Sequence, residues 1–361
     1  MWNNEFTGKI ESLGFRATKS DKCIFKHEIK DIYLCLYVDD GLIIANDDID
    51  IEGVIQQLKE SFDVKVVENS TLIGLEIEAV QRGYFVHQEC FAKKILERFR
   101  FLDSTPVSTP LATNHDLTSD IHQLEEYECD YREAIGSLLY LAANTRPDIL
   151  HAVNLLSQFS NTPREKHWNA IKRLFRYING TRKRGILFER QEKFKVEAFS
   201  DADWANDEID RKSVTGTIIK LAGGPVIFRS SKQNPVSGST TEAEFIAAYE
   251  ISRDLIWLKS LLNELKVSHD KPTLSCDSKS AINLIENDEF SRRTKHIDVK
   301  YRFIHDYKTR GEFDLKHVCS EKQEADFLTK AIPKDQFNDL LILSNIVEVD
   351  LASSKSGGVL S

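Results

Sequence analysis

Val196–Ala205 reads "VEAFSDADWA", an apolar-rich strand pattern that runs into two aspartates. Side chains two apart on a strand share a face, so Asp201 and Asp203 point the same way. The next stretch, "TGTIIKLAGGPVIFRSSK" (Thr215–Lys232), reads as two strands turning through Gly223-Gly224. A long helical pattern follows in "SGSTTEAEFIAAYEISRDLIWLKSLLNEL" (Ser237–Leu265), with Thr240 or Thr241 placed to cap it and Glu242 in the first turn. "PTLSCDSKSAINLI" (Pro272–Ile285) reads as a short buried strand ending at Asp277 and then a helix. "EFDLKHV" (Glu312–Val318) is another strand, and "EKQEADFLTKAI" (Glu321–Ile332) a last helix carrying Asp326. The order is three strands, helix, strand, helices, strand, helix.

Each acid in that series sits on a separate element. A strand-end aspartate or a first-turn glutamate is by itself commonplace, favoured by solubility and the helix dipole. Four of them in this order suit a site for hard divalent cations, which take several carboxylates from different elements. Asp203 shares the face of Asp201 one step nearer the loop, and Glu244 lies about 200° round the helix from Glu242.

A second acidic pair stands in "IYLCLYVDDGLIIAN" (Ile32–Asn46), where two β-branched and aromatic runs flank Asp39-Asp40-Gly41. The unit reads as a hairpin with both carboxylates at its tip. Two converging acids repel unless a cation lies between them, so a metal pair competes with a plain solvated turn. Around the hairpin lie an amphipathic helix near the N-terminus, a second helix in "DIDIEGVIQQLKESF" and a strand pair, "FDVKVV" and "TLIGLEIEAV". Residues 103–130, rich in Thr, Ser, Pro and Asp, read as a surface linker. Helical periodicity returns over 131–180, with Pro147 suited to a first helical position.

Among 361 residues, 41% are hydrophobic and 29% charged, and the net charge is −9, ordinary values for a folded protein. Six cysteines lack C-x-x-C spacing and read as small hydrophobes rather than disulfide or zinc partners. The acidic balance excludes a general nucleic-acid coat, yet residues 164–195 concentrate arginine and lysine. Lys172, Arg173 and Arg176 fall on one helical face, and Arg182, Lys183 and Arg184 in the turn beyond, a candidate phosphate track whose binding would be salt-dependent. Arg211, Lys212, Lys295 and His296 are secondary candidates.

The stretches "LYVDDGLIIA", "LIGLEI", "TRPDIL", "FSDADWANDEIDRKSVTG", "STTEAEFIAAYE", "RTKHIDVKYRFIHD" and "QEADFLTKAI" together resemble the C-terminal part of the Pol polyprotein of copia-type LTR retrotransposons, over nearly the whole chain. That resemblance implies an α+β chain: a truncated reverse-transcriptase palm and helical thumb or connection, followed by a ribonuclease H-like mixed sheet flanked by helices. The implied boundaries are residues 1–112 for the partial reverse transcriptase, 113–190 for linker and helical connection, 191–340 for the ribonuclease H part and 341–361 for a tail. Asp39 and Asp40 match the paired palm aspartates that bind metal. Asp201, Glu242, Asp277 and Asp326 match the ribonuclease H acids, both as metal ligands and as catalytic residues. His317, near the loop before Asp326, reads as a strand-end residue with a minority claim on product release.

The implied chemistry is hydrolysis of RNA in an RNA–DNA hybrid with two Mg²⁺ ions, Mn²⁺ being the alternative. The implied partners are the hybrid, template–primer nucleic acid and other Pol segments, with no membrane. The setting would be cytoplasmic virus-like particles or the nucleus. The family's third palm aspartate and fingers would lie upstream of Trp2, so polymerisation by this chain alone is not expected. The competing readings are a catalytically inactive nucleic-acid-binding relic and a polymerase part that works only with upstream Pol sequence.

Overall fold

Alternating burial across a short sheet shapes the first of two units, residues Met1–Leu75 with Trp257–Ser268. The computed structural model describes residues 2–67, 71–119, 125, 127–205, 207, 210–234, 236–287 and 295–350. Helix α1 (Trp2–Ser12) leads into strands β1 (Phe15–Ala17), β2 (Ile24–His27), β3 (Tyr33–Tyr37) and β4 (Asp40–Ile44), an antiparallel sheet in that order. Helix α2 (Asp48–Lys59) follows, its first turn capped by the Asp47 carboxylate, which accepts from the Ile49 N–H at 2.9 Å. Ile32, Leu34 and Leu36 point inward at the two-residue period and join Phe6, Ile10, Phe15, Phe25, Val54 and Leu58 in one core. Residues 257–268 belong here because the Trp257 indole N–H donates to the Ser20 carbonyl at 3.0 Å and the Tyr33 hydroxyl to the Leu265 carbonyl at 3.2 Å.

Tyr37 pairs with Asp40, so the hairpin turns through Val38-Asp39 rather than through Asp39-Asp40-Gly41, and Gly41 lies on the strand opposite Leu36. Val38 has φ +53°, a conformation that a β-branched residue adopts only under strain. Phe62–Val67, expected as a strand, carries no ladder. Its apolar residues Phe62 and Val64 instead pack against the unit's core.

The second unit comprises Glu76–Ile256 and His269–Ser361. After the short β5 (Thr71–Leu72) come β6 (Leu75–Val80) and β7 (Gly83–His87), then helices α3 (Glu89–Arg98), α4 (Tyr131–Asn144), α5 (Leu150–Ser157) and α6 (Glu165–Gly180) and strand β8 (Arg184–Glu189). β6, β7 and β8 form an antiparallel sheet. The mixed sheet is built from β9 (Val196–Asp203), β10 (Val214–Leu221), β11 (Gly224–Lys232), β12 (Thr273–Cys276) and β13 (Asp314–His317), in the order β11-β10-β9-β12-β13. β9, β10 and β11 are antiparallel neighbours, whereas β12 runs parallel to β9 and β13 parallel to β12. Helices α7 (Thr240–Glu264), α8 (Lys279–Glu286) and α9 (Lys295–Thr309) intervene. The chain is therefore α+β, with the mixed sheet and flanking helices expected of the ribonuclease H part.

Two expectations change here. Residues 341–350 are not a tail: α10 (Lys334–Leu343) is followed by β14 (Ile346–Glu348), which pairs antiparallel with β8 and buries Ile346. Residues 351–361 lie outside the described set. Nor does the helical stretch stand apart from the mixed sheet. Leu138, Val153, Leu156, Ile171 and Phe175 share one core with Ile218, Phe327 and Leu340, so the apolar faces of α4–α6 are covered in part from that side.

The "TRPDI" stretch is a buried electrostatic knot. Arg146 grips Asp148 with two hydrogen bonds of 2.9 and 2.8 Å, and both are buried. The same guanidinium donates to the Thr181 carbonyl at 2.9 Å, and the Tyr177 hydroxyl to Asp148 at 2.7 Å. Burial opposes ionisation of Asp148, but Arg146 outweighs it and holds the carboxyl below its ordinary range. Pro147 occupies the first position of the 3-10 turn Pro147–Ile149, where its missing N–H costs nothing.

Candidate active site at the end of β9

Asp201 is the sixth residue of β9, and its side chain is buried. β12 lies beside β9 in parallel, so its end, Asp277, arrives at the same edge. Gly216 of β10 faces Asp201 across the ladder. A Cβ there would stand 2.6 Å from Thr329 Cγ2 and 2.7 Å from the Ala325 carbonyl oxygen. Only glycine lets the segment 325–329 press onto the sheet this closely. That approach delivers Asp326, which is hydrogen-bonded to Asp201, and Thr329, whose hydroxyl donates to Asp201. Asp326 sits on the 3-10 turn Asp326–Leu328 rather than on a long helix. Gln323 fixes that turn by donating to the Ser200 carbonyl at 2.9 Å.

The fourth carboxyl is Glu244, not the expected Glu242. Glu244 is buried, accepts from the Ala202 N–H, and feels both Asp201 and Asp277. Glu242 is a cap. Its N–H donates to the Ser239 hydroxyl at 3.2 Å, and its carboxylate accepts from the Gly238 N–H at 2.9 Å. Ser239-Thr240-Thr241-Glu242 is a serine capping arrangement, so Ser239 caps the helix in place of Thr240 or Thr241. Two residues further on, the helix has turned and Glu244 faces the sheet. Asp203 is half-buried at the end of β9.

Cys276, read as a small hydrophobe, is buried, with its sulfur 3.8 Å from a Glu244 oxygen. Burial and the Glu244 charge push its thiol far up, so it stays protonated. Glu244, Cys276 and Asp277 form the one three-residue group of metal-capable side chains among the described residues. Lys330 completes the surroundings, its ammonium 3.1 Å from Asp326 and 3.6 Å from Asp201. Ser320 donates to Asp277 at 3.1 Å. His317 ends β13 and is exposed, with Nε2 3.2 Å from the Asp277 carbonyl oxygen.

Crowding of acids leaves an electrostatic signature. Burial, then Asp201 and Asp277, raise Glu244 to about 9. Burial and Asp201 raise Asp326 to about 7, and the same two causes raise Asp277. Carboxyls pressed together away from water resist ionisation, and a cation among them relieves that resistance. The donors are hard oxygens apart from a protonated thiol, so the residues present fit Mg²⁺ or Mn²⁺.

Asp39 and Asp40 are exposed, and neither joins a three-residue group among the described residues. The basic track divides. Arg184 lies 3.7 Å from Asp148 in the buried knot. Arg173 donates to the Thr109 hydroxyl at 2.8 Å and Arg176 to the Thr105 carbonyl at 2.7 Å, so both pin the 103–111 segment to α6. Lys172 bonds its helix neighbour Asn169 at 3.1 Å, Arg182 is half-buried and Lys183 exposed. Arg211 and Lys212 sit in the turn before β10, and the side chains of Lys295 and His296 lie outside the described residues.

Residues 1–113 match the family profile described as reverse transcriptase (RNA-dependent DNA polymerase). The chain is 36% identical over 353 residues to the retrovirus-related Pol polyprotein from transposon TNT 1-94 of Nicotiana tabacum, covering 93% of this chain and 26% of the relative. It is likewise 36% identical over 364 residues to the Pol polyprotein from transposon RE2 of Arabidopsis thaliana, covering 99% of this chain and 25% of the relative. An uncharacterized mitochondrial protein of Arabidopsis thaliana is 33% identical over 228 residues, covering 63% of this chain and 94% of that protein. Among solved structures, ribonuclease H1 from Halobacterium salinarum aligns at 17% identity and a TM-score of 0.26, covering 40% of this chain and 98% of that one. No helix among the described residues is long and apolar enough to cross a membrane. The chain spans about a quarter of the length of the Pol relatives, and it belongs to the copia-type retrotransposon Pol polyprotein family.

Proposed function

We propose that this chain hydrolyses RNA in RNA–DNA hybrids at the β9 site, with divalent cations held by Asp201, Glu244, Asp277 and Asp326. The observation that carries the reading is the convergence of four carboxyls from two strand ends, a helix and a 3-10 turn, three of them with raised pKa values. Bound Mg²⁺ supplies an activated water and charge for the leaving 3′ oxygen. The protein's own part is orientation. Thr329 fixes one oxygen of Asp201, Ser320 one of Asp277, and the Ala202 N–H steadies Glu244. Lys172, Arg182 and Lys183 are the track residues best placed for phosphates, since Arg173, Arg176 and Arg184 are committed within the fold.

Asp39 in the turn and Asp40 at the start of β4 stand exposed at the hairpin tip, which leaves both carboxylates open to a second, separate role. Asp39 and Asp40 supply two ligands of a polymerase metal site that draws its remaining ligands from another Pol segment.

Cleavage of a labelled RNA–DNA hybrid with Mg²⁺ tests the first reading. The chain should cut the hybrid, spare an RNA–RNA duplex and stop in EDTA, and Asp277→Asn should lower the rate at least about a hundredfold. Equal cutting by Asp277→Asn would sink the assignment.

A further inference from the structure

The acidic site contains a cation of the protein's own, the Lys330 ammonium. Lys330 lies four residues beyond Asp326, and its N–H donates to the Asp326 carbonyl at 3.2 Å, which bends the chain back over the carboxylates. Its ammonium reaches Asp326 Oδ1 at 3.1 Å and Asp201 Oδ2 at 3.6 Å. Those two carboxylates are almost wholly buried, at 3% and 4% side-chain exposure, whereas Lys330 keeps 38%. The long stem therefore spans from solvent to the floor of the site, a geometry that lets the head withdraw without unfolding anything. Burial works against the charge on Lys330, but Asp201 and Asp326 outweigh it and hold the amine above the usual lysine range. Among the described residues, the Thr329 hydroxyl and the Gln336 amide at 3.5 Å also bond these two acids, and both are neutral.

We propose that Lys330 is a built-in counter-ion that competes with divalent metal for Asp201 and Asp326, a positioning residue that sets the metal concentration the site requires. The proposal rests on the metal-centre reading above. When Mg²⁺ is scarce, the ammonium offsets the repulsion of the acids and keeps the segment 325–330 against β9 and β10. Divalent metal held by Asp201 and Asp326 would displace the ammonium from their oxygens, because two cations that close repel strongly in a partly buried site. Lys330 thereby weakens metal binding while stabilising the fold that waits for it.

The test is the melting temperature of the full chain, wild type and Lys330→Met, titrated with MgCl₂ at pH 8.5 and fixed ionic strength. Without Mg²⁺, Lys330→Met should melt below wild type. Its apparent Mg²⁺ midpoint should fall roughly tenfold, since a competing charge about 4 Å away has been removed. Lys330→Arg should keep the wild-type midpoint within about threefold. If Lys330→Met does not fold, Lys330→Gln, which retains a donor for Asp326, carries the same comparison. An unchanged or higher midpoint in the neutral variant overturns the proposal, even if the wild type cuts hybrids and the hydrolase reading stands. A lowered midpoint in a chain that cuts nothing supports the counter-ion and removes the hydrolase instead. No Mg²⁺ effect on either chain overturns both.

Discussion

Glu244 and Glu242 are two residues apart on one helix and have unlike tasks. Both fit a spacing argument for a helix-borne acid, and α7 is buried nearly all round from Ala243 to Ala248, so periodicity could not choose between them. The discriminating signal was in the sequence: Ser239-x-x-Glu242 is a capping arrangement, which commits Glu242 to the helix end. Cys276, Thr329 and Lys330 carry no pattern of their own, because their roles come from the approach of distant segments. The raised acids also fix a pH dependence. A carboxyl whose folded pKa lies above its unfolded value binds more protons when folded, so its stabilisation is complete below the unfolded value and is lost as pH rises through the folded one. For Asp326 that window runs from about 4 to about 7, and for Glu244 from about 4.5 to about 9. In EDTA, wild type should therefore lose stability relative to Glu244→Gln as pH is raised from 5 to 9, and excess Mg²⁺ should abolish the difference. Melting temperatures of the two chains across that range decide it, and a growing wild-type advantage in EDTA would refute the electrostatic account.

At the scale of elements, close approach matters more than propensity. The strands β9, β10 and β11 follow directly from alternation, but Leu221 pairs with Gly224, so the turn between β10 and β11 is Ala222-Gly223 rather than Gly223-Gly224. Glu321–Ile332 reads as a helix but is broken into 3-10 turns, because Gln323 bonds the sheet and Ala325, Phe327 and Leu328 are all buried. Gly216 is what permits that contact. Gly216→Ala should lower hybrid cleavage about tenfold or more while circular dichroism stays close to wild type, since the displaced segment carries Asp326. Undiminished cleavage would separate the glycine from the site. The "TRPDI" knot makes a different kind of prediction. Removing one partner of a buried pair leaves the other charge uncompensated, so Asp148→Ala should cost about 3–5 kcal/mol in denaturant unfolding. A loss under about 1 kcal/mol would show that the pair is not the anchor of α5 and α6.

For the whole molecule, the division seen in space differs from the one expected along the chain. The boundary at 112 came with the family resemblance, whereas cores follow covered apolar faces, and α3–α6 share theirs with Phe327, Phe337 and Leu340. The unit built from residues 1–75 and 257–268 has the smaller core and an exposed, strained hairpin tip at Val38. Hydrogen exchange should accordingly show lower protection in β1–β4 than in β9 and β10, and equal protection would contradict that ranking. Asp39 and Asp40 thus stand exposed at the β3–β4 tip, while Asp201, Glu244, Asp277 and Asp326 are drawn together, buried or half-buried, at the end of β9. The most direct measurement is hybrid cleavage by Glu244→Gln and Glu242→Gln side by side in Mg²⁺. Glu244→Gln should lose at least about a hundredfold, and Glu242→Gln should stay within about threefold of wild type. The reverse ranking, or full activity in both, would contradict the assignment of Glu244.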